Sequence, residues 1–256
     1  MTNISKKTEQ EIEKLAYSGH LLADVLNQLV AKVKPGVKTI ELDLLAEKLI
    51  KEAGGTPSFK NYRHSEEDPP FPSSICASIN DQLVHAPAGD VKLQSGDIFS
   101  IDLGMNYEGL YTDMAVTVPV GKISKEAKKL IKTTKKSLAL AIEQVRPGNY
   151  ITDISRVIQE CADDEGFSVN RQLVGHGVGH AVHEDPKIPN FVFYDQPKVE
   201  MFPGMVIAIE PMLNIGGEEI KTLDDGWTVV TADGSLCAHF EHTVAVTENG
   251  VRILTQ

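Results

Sequence analysis

Four acids in strand-like surroundings, together with one histidine–glycine cluster, carry the chemistry this sequence can do. Asp102 ends the apolar run Ile98-Phe99-Ser100-Ile101-Asp102, and Asp113 opens Asp113-Met114-Ala115-Val116-Thr117-Val118. Glu210 ends Val206-Ile207-Ala208-Ile209-Glu210, and Glu241 opens Glu241-His242-Thr243-Val244-Ala245-Val246. A carboxylate inside an apolar strand is costly unless something neutralises it. Asn106-Tyr107-Glu108-Gly109 reads as a turn. With the turn centred on Tyr107-Glu108, Asp102 and Asp113 face each other across a hairpin, with Cβ atoms about 4.5–5.5 Å apart. A one-residue change in the turn would put them on opposite faces. Facing and ionised, they would repel by roughly 3–4 kcal/mol at an effective dielectric near 20. Either one keeps a proton, as in an acid dyad, or a cation sits between them.

The remaining residues favour the cation. Gly175-His176-Gly177-Val178-Gly179-His180-Ala181-Val182-His183-Glu184 combines imidazoles, which ligate metals or carry protons, with glycines that let backbones approach closely. Four carboxylates and one imidazole form an oxygen-rich set that suits Mn, Fe or Co better than a structural zinc site. Shared carboxylates can hold two ions about 3.5–4 Å apart and activate a water between them. His20 and His64 read as ordinary exposed histidines, and His239 as structural rather than a ligand.

These residues need elements to position them. Leu15, Leu22, Leu26, Leu29 and Val33 mark one face of a helix over about 8–33, stopped by Pro35-Gly36. A second helix starts at a Thr39 cap and ends at Gly54-Gly55. A third runs over about 125–145 behind a Ser124 cap, and a fourth starts at a Thr152 cap and ends near Gly166. Val33-Lys34-Pro35-Gly36 matches Val145-Arg146-Pro147-Gly148, and the strand segments pair Asp102 with Glu210 and Asp113 with Glu241. The chain therefore reads as one domain, 1–256, built of two related halves, about 1–121 and 122–256. Such a duplication would set two acids from each half around a pseudo-twofold axis.

Composition agrees with an ordinary soluble protein. The 256 residues are 41% hydrophobic, and the formal net charge of -11 gives nucleic-acid binding no electrostatic support. Cys76, Cys161 and Cys237 are odd in number and lack Cys-x-x-Cys spacing, which argues against a disulfide framework or a thiolate zinc site. No apolar run approaches the ~20 residues that span a bilayer. A cytoplasmic monomer is expected, with neither membrane nor nucleic-acid partners.

Asn80-Asp81-Gln82-Leu83-Val84-His85, Tyr111-Thr112-Asp113, Gly175-His176-Gly177-Val178-Gly179, Ile209-Glu210-Pro211-Met212, Phe240-Glu241-His242-Thr243 and Asp225-Gly226-Trp227-Thr228 together resemble the type I methionine aminopeptidases of peptidase family M24. The resemblance covers nearly the whole chain. It implies the pita-bread fold, an α+β fold of pseudo-twofold halves with a central antiparallel sheet and outer helices. It also implies two divalent ions (Co, Mn, Fe or similar) on Asp102, Asp113, His176, Glu210 and Glu241. His85, His183 and Glu210 would be catalytic. Phe71, Cys76, Trp227 and Tyr62 would wall a methionine pocket beside His85 and His183. The substrates implied are peptides and nascent polypeptides with N-terminal Met, with proximity to the ribosome.

Two departures bear on the pocket. The family usually has Phe where Val182 precedes His183, so a looser pocket is expected, and the segment 61–70 is longer and more acidic than usual. His180 stands outside the metal ligands. Rival readings are a proline-specific relative, a non-enzymatic module on the same fold, and a metal-free two-carboxylate hydrolase. The first usually carries a further N-terminal domain, the second tends to lose ligands, and the third leaves the histidine motif unexplained.

Overall fold

The computed structural model describes residues 4–63, 65–66 and 69–256, so the reading of His64 lies outside the described residues. The first part of the chain forms α1 (Glu9–Val30), α2 (Thr39–Glu52), β1 (Thr56–Pro57), β2 (Ile75–Ile79), β3 (Gln82–Val84), β4 (Ile98–Tyr107) and β5 (Leu110–Pro119). Next come α3 (Lys125–Glu143), α4 (Ile151–Glu165), β6 (Ser168–Val169), β7 (Gly175–Gly177), β8 (Glu184–Ile188) and β9 (Val206–Ile209). The last part holds β10 (Met212–Asn214), β11 (Ile220–Thr222), β12 (Val229–Thr231), β13 (Cys237–His239), β14 (Glu241–Thr247) and β15 (Gly250–Ile253).

Local chemistry sets the helix ends. Thr8 and Glu11 form a reciprocal capping box at α1, with Thr8 N donating to Glu11 Oε2 at 2.7 Å. Ser124 Oγ accepts from Ala127 N and starts α3 as expected. Thr39 and Thr152 do not cap. Thr39 is already helical and spends its hydroxyl on Gly89, while Asp153 accepts from Tyr150 N at 2.8 Å to start α4. In both cases a carboxylate three residues past the cap does the work assigned to a threonine hydroxyl. α4 ends on left-handed Gly166, at φ 75°. α1 and α3 stop two or three residues short of the expected ends, before their Pro-Gly turns.

The main sheet is antiparallel and runs β1-β4-β5-β14-β9-β7-β8, with β2 also on β4 and β15 also on β14. Its alternation separates two faces. Phe99, Ile101, Leu103 and Met105 of β4 pack with Leu22, Leu26 and Leu29 of α1 and Leu42 and Ile50 of α2. Ile207, Ile209, Val244 and Val246 pack with Leu138 and Ile142 of α3 and Ile151, Ile154 and Ile158 of α4. Each helix pair thus covers one part of the same face, and on the other face only the start of α1, Ile12 and Leu15, joins Val206, Ala208 and Ala245 among these helices.

The hairpin corrects the expected register. Tyr107 pairs with Leu110, so the two-residue turn is Glu108-Gly109, with φ 50° and 83°. Both values are positive, as the favoured tight hairpin turn requires, and Gly109 makes that centre cheaper than Tyr107-Glu108. Asp102 therefore faces Ala115, and Asp113 faces Gly104. The slip is two residues, so both acids keep one face and become diagonal neighbours.

Candidate metal centre and substrate pocket

Five neighbouring strands each place one candidate ligand on the face turned away from the two helix-pair cores. Asp102 lies on β4, Asp113 on β5, Glu241 opens β14, Glu210 follows β9 directly and His176 is the middle of β7. The register explains the shared face. Ala115 pairs with both Asp102 and Glu241, Asp113 is two residues from Ala115, and His176 pairs with Ala208, two residues before Glu210. Glycines on each side of His176 let β7 sit between its neighbours. A Cβ on Gly175 would come within 2.5 Å of the Ala208 carbonyl, and one on Gly177 within 2.2 Å of the Asp185 carbonyl.

Donor atoms of Asp113, His176 and Glu241 all lie within 4.8 Å of one another. Asp102, Asp113 and Glu241 are 6%, 3% and 3% exposed. Each keeps a buried oxygen with no hydrogen-bond partner among the described residues: Asp102 Oδ1, Asp113 Oδ1 and Glu241 Oε1. Orphaned buried carboxylate oxygens are costly unless a cation takes them. This donor set therefore fits divalent metal. His176 Nδ1 lies 2.9 Å from the Gly177 carbonyl, which selects the tautomer with Nε2 free to ligate.

The electrostatics follow from crowding. Burial pushes Asp102 up to about 6. Burial, and then the charges of Asp102 and Glu210, push Asp113 well above the carboxylate range. Burial and Asp113 do the same to Glu241. Glu210 goes the other way. Burial opposes its ionisation, but His239, His176 and His183 outweigh that and hold it low.

His239, read from sequence as structural, is 1% exposed and aims at this centre. Its Nε2 is 3.4 Å from Glu210 Oε2 and 4.0 Å from Glu241 Oε2, while His176 Nε2 is 3.7 Å from Glu210 Oε1. Glu210 thus lies between two imidazoles. The chain offered one signal for this, the placement of His239 two residues before Glu241.

Beside the acids is a cavity lined by all eleven residues singled out from the sequence: the five above, His85, His183, Tyr62, Phe71, Cys76 and Trp227. Phe59 and Val84, not foreseen, line it as well. Tyr62 Oη is 2.8 Å from His183 Nδ1, and the His183 ring meets His176 edge-on at 4.5 Å. Asp225 Oδ1 accepts from Trp227 N and Thr228 N, fixing the turn that presents the indole, and Phe71 meets that indole edge-on at 5.2 Å. Phe59, Phe71, Cys76, Val182 and Trp227 form one buried apolar cluster. Phe59 therefore adds an aromatic wall where Val182 alone would leave the pocket looser. His180 points away, to Glu11 at 2.8 Å, and His20 lies on the surface.

Residues 13–248 match the model of metallopeptidase family M24, and the chain belongs to that family. Methionine aminopeptidase of Clostridium perfringens is 49% identical over 97% of both chains, and methionine aminopeptidase 1 of Bacillus subtilis 46% over 98% of both. The crystal structure of methionine aminopeptidase from Thermotoga maritima superposes with a TM-score of 0.93 at 40% identity, covering 99% of each chain. Within M24 the chain thus falls among the methionine aminopeptidases, which are metallo-exopeptidases with the pita-bread fold. Prolidase from Pyrococcus furiosus shares the fold alone, with a TM-score of 0.79 at 23% identity over 65% of that longer chain. Among the described residues no helix is long and apolar enough to cross a membrane.

Proposed function

We propose that this chain removes the N-terminal methionine from peptides and nascent polypeptides by metal-assisted hydrolysis of the first peptide bond. The observation that carries the reading is the junction of three buried carboxylates, the partly buried Glu210 and one imidazole with a small pocket of aromatic and sulfur groups. Asp102, Asp113, His176, Glu210 and Glu241 would hold two divalent ions, Co, Mn or Fe. Bound there, such ions supply Lewis acidity and lower the pKa of a water to near neutrality.

The chain's own groups do the rest. Phe59, Tyr62, Phe71, Cys76 and Trp227, with Val182 packed against them, receive the methionine side chain, whose flexible thioether packs well against rings and sulfur. The substrate's free amino group enters among the carboxylates, which admits a chain end and not an interior bond. Glu210 takes the proton of the attacking water, as suits a carboxylate held ionised by its imidazoles. His183, held at Nδ1 by Tyr62, turns Nε2 toward the carbonyl oxygen and steadies the developing charge, with His85 beside it. The three cysteines are free and buried, which supports work in a reducing cytoplasm; action near the ribosome, as a single domain of two related halves, belongs to the same proposal.

The test is replacement of Asp102 or Glu241 by Ala. Methionine release should fall below detection while the far-UV circular dichroism stays that of the parent. Full activity in either variant would remove the dinuclear reading.

A further inference from the structure

We infer that the segment 5–11 is a strap that positions His183, with the buried Lys7–Glu184 ion pair as its fastening. The inference rests on the reading of His183 as the group that steadies the oxyanion. The loop that carries His183, residues 178–183, is irregular between β7 and β8. Its own backbone offers few restraints: Val178 N to the Val206 carbonyl at 3.2 Å, Tyr111 N to the Gly179 carbonyl at 2.8 Å, and a turn closed from Gly179 N to the Ala181 carbonyl at 3.2 Å. The His183 ring is gripped by Tyr62 and His176 and Glu184 pairs with Gly177, but the backbone of 178–183 that carries the ring depends on contacts from outside the loop.

The strap supplies such contacts to the loop backbone. Lys7 is 2% exposed, and its Nζ donates to Glu184 Oε2 at 2.7 Å. Ser5 Oγ bonds to the same carboxylate oxygen and accepts from Lys7 Nζ. The other oxygen, Glu184 Oε1, accepts from His180 N and from Ala181 N at 2.9 Å. The carboxylate next to His183 is therefore held by the strap through one oxygen and grips its own loop through the other. A second fastening runs from His180 Nε2 to Glu11 Oε1 at 2.8 Å, and Glu11 is itself fixed by the capping box with Thr8. Lys7 N donates to the Gly204 carbonyl at 2.8 Å, which ties the strap to the turn before β9. The fit is close, because a Cβ on Gly179 would lie 2.5 Å from Lys7 Cε.

An ion pair with its ammonium buried and its carboxylate mostly so gains little stability over an apolar pair of the same volume. What they do give is a fixed register, since both carboxylate oxygens and the ammonium must be satisfied together. A displacement of about 1 Å in a group that acts on the transition state can cost on the order of 100-fold in rate. The pair is thus better explained as positioning than as cohesion.

The experiment is a double-mutant cycle between Lys7→Met and His183→Ala, read as kcat and KM on a Met-Ala-Ser peptide, with Mn affinity by calorimetry and the thermal midpoint as controls. In the parent, Lys7→Met should lower kcat by about 10–100-fold, with KM within about threefold and Mn affinity unchanged. In the His183→Ala background the same change should cost less than about twofold, because the group it positions is gone. Should Lys7→Met fail to fold, the charge-neutral pair Lys7→Met with Glu184→Gln carries the same cycle. An unchanged kcat in folded Lys7→Met, or an equal loss in both backgrounds, would overturn the strap alone. Full kcat in His183→Ala would overturn the reading of His183 and the strap with it.

Discussion

Glu241→Gln is expected to stabilise the metal-free protein. Glu241 is 3% exposed, its Oε1 has no hydrogen-bond partner among the described residues, and the Asp113 carboxylate lies within 4.8 Å. At an effective dielectric near 20, two ionised carboxylates at that distance repel by roughly 3.5 kcal/mol. The folded chain avoids the cost by keeping a proton in the Asp113–Glu241 pair, both of whose carboxyls burial and neighbouring charge raise. The sign follows from linkage. A carboxyl raised in the folded state makes its full contribution to stability below its unfolded pKa, and loses it as pH rises toward the folded value. The loss runs at up to about 1.4 kcal/mol per pH unit. Glutamine has no such proton to lose. Chelator-treated Glu241→Gln should therefore match the parent near pH 5 and exceed it by about 2–3 kcal/mol at pH 7, or roughly 4–12 °C in thermal midpoint. Added Mn or Co should reverse the order, because the parent alone keeps the full donor set and gains more from native-state binding. Urea titrations and thermal melts at both pH values read this directly. A metal-free variant less stable than the parent at pH 7, or a gap that does not grow with pH, would refute the account of this cluster.

His239→Gln should leave the fold intact and weaken Mn binding by about tenfold, more at pH 6 than at pH 8, because Glu210 loses an imidazole that holds its pKa low. Unchanged affinity in calorimetry at both pH values would make His239 a packing residue. Val182→Phe should crowd the cluster that already holds Phe59 and Phe71, lowering kcat/KM for a Leu-initiated peptide more than for a Met-initiated one. Equal Met-to-Leu ratios in parent and variant would contradict the placement of Val182 at the pocket.

Much of this centre can be read from residue order alone, for physical reasons. An acid at a set place in an apolar strand announces a buried charge, and period-two alternation says which neighbours share its face. That is why the hairpin could slip by two residues without moving Asp102 and Asp113 off the common face. The slip itself was decided by Gly109, which takes positive φ at less cost than Tyr107 can. The cap at Ser124 is local and legible, whereas those of α2 and α4 pass to Glu41 and Asp153 because Thr39 and Thr152 already lie within their helices. Long-range features stayed hidden. The Lys7–Glu184 pair joins residues 177 positions apart, and Phe59 reaches the pocket only once β1 lies along β4. His239 looked like an ordinary core histidine because its contact with Glu210 depends on how β13 bends into β14.

The most direct measurement is hydrolysis of Met-Ala-Ser and Ala-Pro-Ala peptides by metal-stripped protein, before and after addition of Co or Mn. Methionine release that appears only with metal, with the proline peptide left intact, is the expected result. Release without metal, cleavage of Ala-Pro-Ala alone, or silence on both peptides with either metal would contradict it.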